Sequence, residues 1–189
     1  MNYPEWKFRI PQESEVNQDP IEGEFFTTAD VGDFADALVR ESIQNSLDAK
    51  DPNNGTKKIV AVRYYFSGLA NSNNVLLNKH PLFKGIYPHI TSSDNGLNKR
   101  DLPNLSDKTQ YLVIEDFQTV GLDGSIAEND DPRTSSPLGH NFYWFWRNVG
   151  RLGKKGSERG KWGLGKTVFP ASSSINTFFA LTTRWDDKK

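Results

Sequence analysis

The chain has 189 residues, with 23 Lys and Arg against 24 Asp and Glu, and a formal net charge of −1. That length suits one well-packed domain spanning 1–189 and falls short of two, and the near-neutral balance leaves no global field to recruit nucleic acid or an acidic membrane. The absence of cysteine excludes disulfides, thiolate catalysis and Cys-based zinc sites, and three histidines do not furnish a His-rich metal centre.

No apolar run approaches 18 residues and the N-terminus lacks a signal-peptide core, so the chain reads as soluble and cytoplasmic, with no membrane partner. Trp6, Phe8 and Ile10 alternate with Lys7 and Arg9, which predicts a short strand. Pro4 and Pro11 bound it and make it an edge strand. An N-terminal arm of this kind is also suited to pairing with a second subunit. Residues 17–23 read as a loop. Asp30 then supplies a helix N-cap, with Asp33 three residues on. The helix is expected over 31–50 and stops at the breaker run Asp51-Pro52-Asn53-Asn54-Gly55.

An α-helix turns about 100° per residue, which places Glu41, Asn45 and Asp48 within roughly 60° of one another. Their stripe borders a small or apolar face of Val31, Leu38, Val39, Ser42, Ser46 and Ala49. On its other side lie Asp33, Asp36, Arg40 and Gln44. Two carboxylates and an amide looking into a cleft suit a hydrated divalent cation and an activated water. The same spacing fits a solvated acid pair beside an Asn on an ordinary amphipathic helix.

Residues 57–67 are rich in β-branched and aromatic side chains and predict a strand. Residues 68–108 hold Asn-rich turns, an apolar piece at 82–90 and the turn Asp94-Asn95-Gly96. A second strand, 111–116, delivers Glu115 and Asp116 at its C-terminal end, followed by Gly121 and Gly124. A carboxylate before a flexible turn is well placed to accept from a ligand; a plain strand-to-loop exit has the same pattern. The polar segment 124–139 is expected to be mobile. An aromatic helix is expected over 141–149 and a basic, glycine-rich segment over 151–165. A helix at 166–171 is cut short near Pro170, and a third strand is expected over 175–185.

The glycine segment has two readings. Residues 160–167, G-K-W-G-L-G-K-T, match the P-loop pattern ending in Lys166 and Thr167. That motif needs a buried strand directly before it, and residues 153–159 have no strand character. In the other reading the segment is a lid over about 124–165. Its glycines let backbone N–H groups approach phosphate, and a helix starting near Gly165 adds its positive end.

Three blocks in this order resemble the GHKL ATPases, the superfamily of DNA gyrase, heat-shock chaperones, histidine kinases and mismatch-repair MutL. E-S-I-Q-N-S-L-D-A at 41–49 resembles their N-box helix. E-D-F-Q-T-V-G-L-D-G at 115–124 resembles their adenine-binding motif, and G-K-W-G-L-G-K-T resembles the glycine motif that closes their ATP lid. The aromatic and basic run from Phe142 onward looks most like bacterial GHKL proteins, some associated with antiviral (phage) defence.

The resemblance implies an α/β two-layer sandwich, a mixed β-sheet with helices on one face (the Bergerat fold), with ATP and Mg²⁺ as ligands. It implies that Glu41 is the general base for the attacking water and Asn45 the Mg²⁺ ligand, with Asp48 near the nucleotide. Asp116 would accept the adenine amine and Gly121 would let the loop pass the base. Gly160, Gly163, Gly165 and Lys166, with Thr167 beside them, would meet the phosphates. Thr182 or Thr183 would hold the adenine-site water. Gln118 stands where the usual motif has glycine. The implied function is slow, Mg²⁺-dependent ATP hydrolysis driving dimerisation or a conformational change in a larger protein. The chain would then be its N-terminal part, followed by an effector domain or partner. The remaining alternatives are a P-loop NTPase, a protein-histidine kinase domain, and a non-enzymatic nucleic-acid or protein-binding module. The last would use Arg147, Arg151, Lys154, Lys155, Arg159 and Lys161.

Overall fold

The computed structural model describes residues 6–8, 10, 12–16, 34–51, 59–67, 75–76, 81–92, 95–98, 100, 102–104, 108–130, 139–148 and 165–184. The longest element is helix α1, Phe34–Asp48. Its buried positions are Ala37, Ser42 and Ser46, all small, so neighbouring backbone approaches closely. The two buried hydroxyls stay satisfied by bonding back along the helix. Ser46 Oγ donates to Ser42 O at 2.9 Å, and Ser42 Oγ donates to Val39 O at 3.0 Å. Val39, expected on the packed face, is instead 44% exposed.

Strand β1, Ala61–Phe66, pairs antiparallel with β4, Leu112–Phe117. The register sets Tyr64 opposite Ile114 and Val62 opposite Asp116. These four share one face, because strand side chains alternate with period two. That face looks toward α1, since Tyr64 Oη lies 2.6 Å from Ser42 Oγ. The opposite face carries Arg63, Tyr65, Val113, Glu115 and Phe117, all exposed, with the Arg63 guanidinium 4.5 Å from the Phe117 ring centre. A lone hairpin-sized sheet is marginal in water; α1 supplies the cover this one needs. A second small sheet joins β2, Val75–Leu76, to β3, Lys108–Thr109, also antiparallel. Between them a 3₁₀ turn, Pro81–Phe83, leads to α2, Tyr87–Ile90.

The C-terminal half packs through aromatic rings. Helix α3 is Asn141–Trp146, and α4, Val168–Ala171, follows a 3₁₀ turn at Gly165–Thr167. Pro170 fits inside α4 because first-turn N–H groups have no intrahelical partner to lose. Val168 and Ala37 are fully buried against each other, flanked by Phe34, Leu38, Phe169 and Ala171. Full burial of a valine contributes about 1.5–3 kcal/mol. Trp146 stacks on Phe178 at 5.3 Å, and Phe145 meets both Phe169 and Phe178. The architecture is mixed α/β. Among the described residues no helix is long and apolar enough to cross a membrane.

Several expected boundaries move. Helix α1 ends at Asp48 rather than at 50, because Ala49 O, Lys50 and Asp51 N join the loop after β4. The strand expected over 57–67 begins at Ala61. The strand expected over 175–185 forms no ladder among residues 175–184; β-propensity favours extended backbone but supplies no partner. Its rings and hydroxyls instead pack on α3 and the 121–124 turn. The N-terminal strand is likewise unformed at 6–8 and 10. Trp6 packs edge-on against Phe179, and Phe8 stacks on His89 at 3.7 Å. The Asp30 cap and Asp33 lie outside the described residues.

Candidate functional site

Two contacts join segments far apart in the chain. The first is between Glu41 and Gly165. Oε2 of Glu41 occupies the place a β-carbon would take at Gly165, and its Cδ stands 3.0 Å from that position. A side chain at 165 would have to displace the Glu41 carboxylate from this position. The Glu41 side chain is 17% exposed, and its Oε1 accepts from Arg40 Nη2 at 3.4 Å. Glu41 is thus a partly desolvated carboxylate in contact with Gly165 and with the Arg40 guanidinium.

The second contact joins the turn after β4 to the extended C-terminal segment. Gly121 has φ +73°, in the left-handed region where a β-carbon is disfavoured. A Cβ there would lie 2.6 Å from Thr183 O and 2.9 Å from Thr182 Oγ1. Leu122 N donates to Thr182 Oγ1 at 2.9 Å. Thr182 therefore presents its hydroxyl to the turn, while Thr183 contributes backbone. One turn further, Arg184 Nη1 donates to Gly124 O at 2.7 Å.

The loop between these contacts is tied to α1. Val120 N donates to Ala49 O at 2.9 Å, Asp51 N donates to Gln118 O at 3.3 Å, and Lys50 bridges Thr119. The end of the Glu41 helix thus abuts the segment directly after Asp116. Asp116 is exposed on the sheet face that looks toward α1. Asn45, one helical turn beyond Glu41, and Asp48 are also exposed. Gln118 adopts φ +67°, the backbone conformation that glycine serves most easily. The turn keeps a glycine-type geometry without a glycine.

Thr167 is buried, as is the start of α4 beside it. Lys166 Nζ donates to Trp144 O at 2.6 Å, to Phe145 O at 2.7 Å and to Asn148 O. Burial pushes this ammonium down from 10.5 to about 8, so it remains charged at neutral pH. Gly160 and Gly163 lie outside the described residues. So do five of the six basic residues of the nucleic-acid reading; the sixth, Arg147, donates to Ile126 O at 3.1 Å.

Three structural partners carry no sequence signature of their own. Tyr64 reads as an ordinary strand aromatic, yet it bonds Ser42. Asp123 accepts from Asn141 N at 2.9 Å through Oδ1 and from Phe142 N at 2.8 Å through its carbonyl, which caps α3. His140 Nδ1 pairs with Glu128 at 2.6 Å. Among the described residues no cluster of three or more His, Asp or Glu side chains is arranged to hold a metal. Mg²⁺ does not need one, because it keeps several waters and binds through one or two protein ligands plus substrate phosphates. The exposed Asn45 amide beside Glu41 fits that modest requirement. Comparison with family models, with curated proteins and with solved structures finds no match to this chain.

Proposed function

We propose that this chain is an ATP-binding domain of the Bergerat type that hydrolyses ATP slowly, with Mg²⁺. The observation that carries the reading is the meeting of Glu41 with Gly165. Phosphoryl transfer to water requires a positioned nucleophile and donors aimed at the phosphates. A carboxylate set against the glycine that ends the glycine-rich segment can position the first and borders the second. In this reading Glu41 orients the attacking water and takes its proton, and Asn45 holds the hydrated Mg²⁺, which shields phosphate charge. Asp116 accepts the exocyclic amine of adenine, on the sheet face turned toward α1. Gly121 leaves room beside the base, and Thr182 fixes the turn from behind. The glycine segment closes over the phosphates, and the bound state drives dimerisation or a shape change in a larger protein.

The test is calorimetric titration of a non-hydrolysable ATP analogue with Mg²⁺ into wild type and Asp116→Asn. Binding by wild type and its loss in the variant support the adenine pocket. Equal binding by both removes Asp116 from the base site and favours a P-loop site at residues 160–167. No binding by either sinks the proposal for this chain.

A further inference from the structure

Lys166 follows the glycine that touches Glu41, and its ammonium is held from three sides by carbonyl oxygens. An ammonium has three N–H donors, so all are engaged. Trp144 and Phe145 lie in the last turn of α3, whose carbonyls lack intrahelical partners and carry the negative end of the helix dipole. The carbonyls satisfy the ammonium's donors and offset part of what burial costs its charge. On the far side of Lys166, Thr167 and Val168 are buried, and Val168 packs against Ala37 of α1. Gly165 therefore sits beside a residue anchored to α3 and close to one anchored to α1. Movement of Gly165 away from Glu41 is opposed by the anchored Lys166 head on one side and by buried Thr167 and Val168 on the other.

The geometry points to Lys166 as a positioning residue for Glu41, acting through Gly165, rather than as a phosphate contact. By gripping the end of α3 it holds Gly165 as the wall that sets the Glu41 carboxylate. The inference rests on the ATPase reading and gives Lys166 a different part in it. A lysine aimed at phosphate adds affinity that grows with phosphate count. A lysine that positions a base acts on the chemical step and leaves affinity unchanged.

The experiment measures calorimetric affinity for the Mg²⁺-bound analogue and for ADP, and single-turnover hydrolysis of ATP. The proteins are wild type, Lys166→Met, Lys166→Arg, Glu41→Gln and the double variant Lys166→Met with Glu41→Gln. Lys166→Met is expected to bind the analogue within about twofold of wild type and to hydrolyse at least about tenfold more slowly. The double variant is expected to be no slower than Glu41→Gln alone, and Lys166→Arg, which keeps donors for the carbonyls, to recover part of the rate. A tenfold or larger fall in analogue affinity, with a smaller fall for ADP, makes Lys166 a phosphate contact and overturns the inference, as does an unchanged rate (about tenfold being the threshold that one lost interaction sets). If Lys166→Met does not fold, hydrogen exchange on wild type decides. Amides at the end of α3 stay as protected with the analogue bound as without it; loss of protection on binding means that Lys166 leaves α3, and overturns the inference. A wild type that binds no analogue fails earlier, at the ATPase reading, and takes this inference with it.

Discussion

Gly165→Ala isolates the contact between α1 and the glycine segment. The Gly165 backbone lies outside the left-handed region, so alanine can adopt it. The three atoms nearest the added methyl all belong to Glu41: Oε2, Cδ at 3.0 Å and Cγ at 3.7 Å. The obstacle is the end of a flexible side chain, which can swing away. Fewer unfolded conformations favour the variant by about 0.4–1 kcal/mol. An off-rotamer Glu41 opposes this by about 0.5–1.5 kcal/mol. The two nearly cancel, and the melting temperature is expected to move by no more than about 3 °C for a chain of this size. The proposed hydrolysis is expected to respond differently. Cδ must retreat to 3.4 Å or beyond, and Oε2 further, to reach ordinary contact. Displacing a catalytic group by on the order of 1 Å costs roughly 10²-fold in rate. The assay pairs a thermal melt with single-turnover hydrolysis. A rate within about threefold of wild type refutes the argument that Gly165 places the base, since a displaced base costs far more. A melting temperature lower by more than about 8 °C refutes the view that the contact is cheap to rearrange.

Gly121→Ala meets backbone instead, and at φ +73°; the strained dihedral and the overlap with Thr183 O together are expected to cost about 2–4 kcal/mol in urea denaturation. A loss under about 0.5 kcal/mol, the size typical of an unconstrained surface change, would show the turn to be softer than it looks. Gln118→Gly relieves a left-handed glutamine and is expected to raise stability by about 0.5–1 kcal/mol; a loss of similar size counts against φ +67° there. Tyr64→Phe removes the phenol from Ser42, which keeps Val39 O as its acceptor, so the expected loss is about 0.5–1.5 kcal/mol by the same method, and no loss means the 2.6 Å contact contributes nothing. For pH, the folded state holds the Lys166 proton less tightly, about 8 against 10.5. The unfolded chain therefore binds more protons between those values, and wild type should gain stability over Lys166→Met as pH rises from about 8 to 10.5. A difference that stays flat or shrinks across that window sinks the depressed value.

The sequence was most legible where local pattern and tertiary role coincide. The α1 helix, the β1 and β4 strands and the aromatic α3 follow from periodicity and breakers, and each lies within a few residues of its expected range. No spacing rule would have given the meeting of Glu41 with Gly165 or of Gly121 with Thr182. Residues 175–184 mislead because aromatic and β-branched side chains also serve to fill a ring cluster, as Phe178 does against Trp146. Lys166 has partners that no sequence pattern shows. A lysine beside glycines suggests an anion, whereas three backbone carbonyls meet the same cation and leave no trace in composition. Tyr64 and Asp123 were invisible because a single long-range hydrogen bond has no periodicity.

Helix α3 has six residues, far fewer than the roughly 12–15 a helix needs to persist alone in water. It is ordered here by groups of opposite sign at its two ends, the Asp123 carboxylate at the first turn and the Lys166 ammonium at the last. The nucleation cost is thus met by residues more than forty positions apart. Releasing either end is therefore expected to fray α3 at that end, while Phe145 and Trp146 stay packed on Phe178. The helix is thus a joint product of two polar tethers and the rings of Phe145 and Trp146, and no one of them stands in for the others.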